Sequence, residues 1–163
     1  MFKKIAFAAP LAVLALSSSM AFAATEARHS INLIAHVPSD DFYAVPVDYD
    51  LVNKDQDMSY QPTTGRMGEV NGFFDVRNNN GSVHASLESL PKLVAGNTSI
   101  DLQVMLNNKE LTLTPQMVVG ESESDVNYRA PLKISAKGSN FQPGDYTGSV
   151  AMIFDAVPPV GGN

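Results

Sequence analysis

The chain has 163 residues, with 11 Lys and Arg against 17 Asp and Glu, a formal net charge of −6, and no cysteine. This acidic balance argues against nucleic acid as a partner, because phosphate binding needs clustered Lys and Arg. Thiol catalysis, zinc on thiolates and a disulfide framework are excluded, so core burial, a ligand or a partner must hold the fold together.

The first residues read as a targeting segment. Lys3 and Lys4 supply a positive start, Ile5 to Leu16 form an apolar run broken only by Pro10, and Ala21-Phe22-Ala23 is a small-residue cleavage site. Cleavage is expected after Ala23, with Ala24 second. The run is too short for a membrane span of about 20 residues, and no later segment is long enough. The chain is expected to be exported, with no membrane insertion. Residues 1–23 would be removed, leaving nine basic residues against all 17 acidic ones, a formal charge of −8. The remaining length suits one domain.

A few residues on, Ser30 to Pro38 reads SINLIAHVP. Ile31, Leu33, Ala35 and Val37 alternate, so an extended strand here has one apolar face. A strand at a free terminus must bury that face somewhere. It either pairs within its own domain or completes a neighbouring subunit, which would make the protein the building block of a fibre.

The rest of the chain is patterned for β structure. Ala44 to Val52 alternates Val45, Val47, Tyr49 and Leu51, with Pro46 suited to an edge. Residues 53–69 are polar and read as a loop with at most a short edge strand. Val70 to Val76 is a strand, closed by the turn signal Asn78-Asn79-Asn80-Gly81. Ser82 to Leu90 is a weaker strand. Ile100, Leu102, Val104 and Leu106 alternate, and Asn107-Asn108 turns the chain toward Leu111 and Leu113, a hairpin over 99–114. Pro91 to Val94 and Pro115 to Val119 could each hold a helical turn. Tyr128 to Ala136 alternates again. The last strand is expected at Tyr146 to Asp155, with Tyr146, Val150, Met152 and Phe154 on one face. Strands spaced by turns at this density predict an all-β sandwich.

Catalytic and metal-binding patterns fail one by one. The three histidines, His29, His36 and His84, have no second His at helical spacing. Asn53 to Asp57 resembles the start of a calcium loop, but Met58 stands where Gly is needed and Thr64 where the bidentate Glu belongs. There is no G-x-S-x-G elbow and no Gly-rich loop before a helix. Glu121-Ser122-Glu123-Ser124-Asp125 reads as exposed loop, with no pocket to perturb its carboxylates. No enzymatic activity, cofactor or metal is expected.

Two segments together resemble the major pilins of the CS1 and CFA/I (class 5, alpha) fimbrial family. Ile31 to Val37 is similar to that family's I-x-V-x-A-x-V after the signal peptide, followed by Pro. Gly144-Asp145-Tyr146-Thr147-Gly148-Ser149-Val150 is similar to its G-x-Y-x-G-x-V near the C-terminus. The resemblance implies an incomplete immunoglobulin-like sandwich over 39–163, completed by an N-terminal donor strand, residues 24–38, of the neighbouring subunit. It implies a head-to-tail homopolymer at the bacterial cell surface, reached through the periplasm with a chaperone, an outer-membrane usher and a tip adhesin as partners. The donor side chains would be Ile31, Leu33, Ala35 and Val37. The acceptor groove or core would include Tyr146, Val150, Met152 and Phe154. The alternative is a monomeric periplasmic or secreted β-sandwich that binds a glycan or protein, with Ile31 to Val37 as its own first strand.

Overall fold

The computed structural model describes residues 41–159. The signal peptide expected at 1–23 and the donor strand expected at 24–38 lie outside these residues. Eleven strands and two single helical turns follow in chain order: β1 (Phe42–Pro46), α1 (Asp50–Asn53), β2 (Tyr60–Gln61), β3 (Arg66–Met67), β4 (Val70–Asn78), β5 (Ser82–Leu87), β6 (Lys92–Ala95), β7 (Thr98–Leu106), β8 (Lys109–Glu110), β9 (Gln116–Val119), α2 (Glu121–Ser124), β10 (Tyr128–Ala136) and β11 (Met152–Val157).

The strands form two principal antiparallel sheets. The larger runs β1-β4-β10-β7-β6, with β8 paired to β7, and the smaller runs β11-β5-β9. Between them lies one apolar core. Phe74, Val76, Val104, Leu106, Ala130 and Leu132 of the larger sheet meet Val83, Ala85, Leu87, Val118 and Val119 of the smaller. This is the layered solution for two sheets that each have one apolar face.

The alternation read from the sequence sets most of this register. In β4, Val70, Phe74, Val76 and Asn78 are buried. Outward-facing Asp75 lies opposite Arg129 on β10. The buried Asn78 satisfies its amide in the turn that follows, donating to the Ser82 carbonyl at 2.8 Å and accepting from the Asn80 N–H at 3.2 Å. Asn107 and Asn108 take φ of 46° and 62°, the left-handed pair of a tight hairpin turn between β7 and β8. Asn107 also donates to the Val118 carbonyl at 2.6 Å and accepts from the Tyr128 hydroxyl at 3.1 Å, tying this turn to both sheets.

Several expected boundaries are corrected. The strand expected over Ala44 to Val52 ends at Pro46. Phe42 and Ala44 face the core, so continuing in register would point Asp48 and Asp50 inward, where a carboxylate has no partner. After a last rung from the Val47 N–H to the Phe73 carbonyl (2.9 Å), the Asp48 carboxylate instead accepts the Asp50 N–H at 2.9 Å and α1 begins. Pro91 to Val94 and Pro115 to Val119 contribute strands rather than helical turns, because each pairs along a neighbour, β6 on β7 and β9 on β5. The second arm of the 99–114 hairpin is only two residues long, and Leu113 is exposed. Residues 121–125 are exposed as expected except at Ser124, but Glu121–Ser124 form the single helical turn α2. Ser124 is fully buried there, its hydroxyl set 2.6 Å from the Gly81 carbonyl.

The outer face of the larger sheet is laced by ion pairs. Arg129 grips Asp75 with two bonds, 2.8 and 3.0 Å, while Lys133 meets Glu69 and Lys137 meets Glu110, both at 2.9 Å. The Arg129 hydrogen bonds hold the Asp75 carboxyl below its ordinary value of 3.8, against a smaller opposing effect of burial. A depressed folded pKa stabilises above the unfolded value and is lost as pH falls through the folded one. Arg129→Met should therefore cost stability at neutral pH and flatten the loss that sets in as pH falls below the ordinary carboxylate value, measured by urea unfolding at stepped pH. Leu106, fully buried in β7, gives the core test: Leu106→Ala should cost about 2–5 kcal/mol by chemical denaturation.

Candidate strand-acceptor groove

Strand β11 has a neighbour on one side only. Met152 to Val157 pair with Leu87 to Ser82 of β5, and among the described residues no strand covers the other edge. Beside that edge the two sheets part around an apolar hollow of about 310 Å³. Its floor is Val70 and Phe74 of β4 with Leu132 and Ile134 of β10. One wall is Gly148 to Val150 with Met152. The other is Leu51 and Val52 of α1 with the polar rim Lys54, Asp55 and Gln56. A second hollow, of about 380 Å³, lies at the far end of β11 between Ala156, Pro158, Phe42 and the Asn78–Asn80 turn. The two hollows thus touch β11 near its two ends, at Met152 and at Ala156.

The segment entering β11 explains where the groove opens. Thr147 exchanges two backbone bonds with Val94 of β6, at 2.8 and 3.1 Å, and a Cβ at Gly148 would collide with the Lys92 carbonyl. Residues 147 and 148 are thus held by the larger sheet. The chain joins the smaller sheet only after Ala151, whose carbonyl accepts the Glu88 N–H at 3.1 Å. The strand expected from Tyr146 consequently starts at Met152.

The predicted acceptor residues separate accordingly. Val150 and Met152 line the groove. Phe154 packs against Phe74 across the core, the rings tilted by 33° with centroids 5.2 Å apart. Tyr146 sits beside β6, where its hydroxyl accepts from Thr98 at 3.1 Å and donates to the Gln142 carbonyl at 3.0 Å. The predicted donor residues Ile31, Leu33, Ala35 and Val37 lie outside the described residues. Leu51, Val70, Phe74, Leu132 and Ile134 were not singled out for the groove. The sequence signal that could have found it is Gly72, a glycine inside a strand, which marks a close approach. A Cβ there would meet Leu51 Cδ2 at 2.7 Å.

The acidic loop that invited a calcium reading is engaged locally. Asp50 pairs with Lys54 at 2.7 Å and Asp57 accepts from Ser59 at 2.6 Å. Among the described residues no group of three or more acids and histidines is arranged to hold a metal ion. None of their helices is long and apolar enough to cross a membrane.

The fold is an open, immunoglobulin-like sandwich of the kind found in fimbrial subunits. Residues 27–155 match the model of the CS1 type fimbrial major subunit, and the chain belongs to that family. It is a structural subunit, from a family that is not one of enzymes, assembled through the periplasm into fimbriae at the bacterial surface. Among solved structures it is similar to the CooA pilin subunit from enterotoxigenic Escherichia coli, with a TM-score of 0.52 and 20% identity over 69% of this chain and 86% of that one. A chain from a chaperone–tip adhesin complex of CFA/I fimbriae biogenesis matches with a TM-score of 0.51 and 16% identity, over 74% of this chain and 43% of that one. No curated protein matches by sequence.

Gly148→Ala should lower stability by roughly 1–3 kcal/mol, because the new methyl pushes the 147–150 segment off β6. Urea unfolding checks it, with Gly96→Ala for comparison, since a Cβ at Gly96 meets no atom within 4 Å and leaves only its φ of +56° to cost stability.

Proposed function

We propose that this subunit polymerises by donor-strand complementation, residues 24–38 of one copy filling the groove of the 39–163 domain of the next. The observation that carries the reading is the edge of β11 that no strand covers among the described residues, beside an apolar hollow of about 310 Å³. An edge strand offers unpaired backbone donors and acceptors, and an extended segment added there supplies main-chain hydrogen bonds while alternate side chains fill the pockets. Residues 30–38 have the needed form, with Ile31, Leu33, Ala35 and Val37 on one face. Burying Ile31, Leu33 and Val37 contributes about 1.5–3 kcal/mol for each large side chain before ordering costs. Val150 and Met152 receive them, while Tyr146 and Phe154 hold the surrounding frame. Because the donor segment and the groove are different surfaces, the contact is head-to-tail and does not close, so it propagates as a filament.

Before assembly the same edge needs cover. A periplasmic chaperone would supply it, an outer-membrane usher would exchange the chaperone for the next subunit, and a tip adhesin would cap the fibre. A related fold within a chaperone–tip adhesin complex supports the chaperone and the tip adhesin as partners.

The test is thermal unfolding of a subunit beginning at Ser39, with and without a synthetic peptide of residues 24–38. The peptide should raise the melting temperature strongly, and its Leu33→Asp version should not. A subunit that is already stable and ignores the peptide would favour the monomeric glycan- or protein-binding reading instead.

A further inference from the structure

We propose that Leu51, seated over Gly72, sets the size of the donor side chain that the groove accepts. The inference rests on the strand-acceptor reading above and concerns the selectivity of that same site. Its basis is local. In the inward row of β4, Val70 and Phe74 flank a position with no side chain. Leu132 of β10 lies directly opposite Gly72. The dip thus formed in the groove floor is occupied by Leu51 of α1, close enough that a Cβ on residue 72 would sit 2.7 Å from one δ-methyl and 3.2 Å from the other.

Leu51 comes from the wall, not the floor. It belongs to a single helical turn with no side-chain cap, held by the Asp48, Lys54 and Gln56 contacts within its own segment. One branched aliphatic side chain thus spans from wall to floor where the hollow faces Val150 and Met152. A larger side chain at residue 51 narrows the slot and a smaller one widens it, whereas the floor and the β11 wall are fixed by ladder and core. Apolar pockets discriminate by methylene, about tenfold or more for each. The pocket therefore takes an aliphatic donor side chain and rejects an aromatic one.

The full chain tests this, because each copy carries both donor and groove. Ile31→Phe, Leu33→Phe and Val37→Phe would be made singly and each combined with Leu51→Ala, with fibre yield and dissociation temperature measured. At the donor position that meets Leu51, the phenylalanine should cut fibre yield about tenfold and Leu51→Ala should restore most of it. Gly72→Ala, which drives the Leu51 tip off the floor into the slot, should weaken fibres and be rescued by the same Leu51→Ala. Rescue at none of the three donor positions, or equal rescue at all three, would overturn the proposal. If the phenylalanines and Leu33→Asp leave the fibres untouched, the strand-acceptor reading itself fails.

Discussion

An unpaired strand edge beside an apolar slot is a double deficit. Among the described residues one edge of β11 has no strand partner, and Ile134, Val150 and Met152 beside it are only partly buried. Water can serve the first need but not the second. The one addition that meets both is an extended segment with alternating apolar side chains. Once that is granted, the rest of the domain reads as a frame holding the slot open. The Thr147–Val94 bridge and the close approach at Gly148 anchor one wall to the larger sheet. The Asp48 turn takes the other wall off the edge of β1. The tilted Phe74–Phe154 contact spans the depth between the sheets.

Much of this was legible in the sequence, and the reasons for the failures are physical. β4, β7 and β10 bury one face and expose the other, so period-two alternation identified them almost to the residue. Alternation misled at Ala44 to Val52 because two registers are encoded there. Phe42 and Ala44 call for one face inward, Val47, Tyr49 and Leu51 for the opposite one, and the chain resolves the conflict by turning at Asp48. The short edge strands β6 and β9 read as possible helical turns because their extended form comes from pairing along a neighbour, a contact that no local pattern records. Most of the groove floor was visible only as strand core, since its role depends on which edge is left uncovered. Gly72 was a clue of a different kind, a missing side chain in an inward row.

The lack of cysteine takes on meaning in this frame. With no disulfide available, the strand-acceptor reading proposed above assigns stability beyond the core to association. The buried row Val76, Val83, Val104, Leu106 and Val119 holds the two sheets together. The exposed Lys133–Glu69 and Lys137–Glu110 pairs add little, as solvent-screened pairs do. The acidic surface keeps unassembled subunits apart by repulsion, which suits a protein whose productive contact is a single directed one.

Disulfide trapping across the proposed junction tests the central claim most directly. Two otherwise cysteine-free chains, one carrying Leu33→Cys and the other Val150→Cys or Met152→Cys, would be assembled together and oxidised. The account predicts a cross-link between different chains that appears only when both variants are present and grows with fibre formation. Fibres that form normally with no inter-chain cross-link at any of these pairs would contradict it.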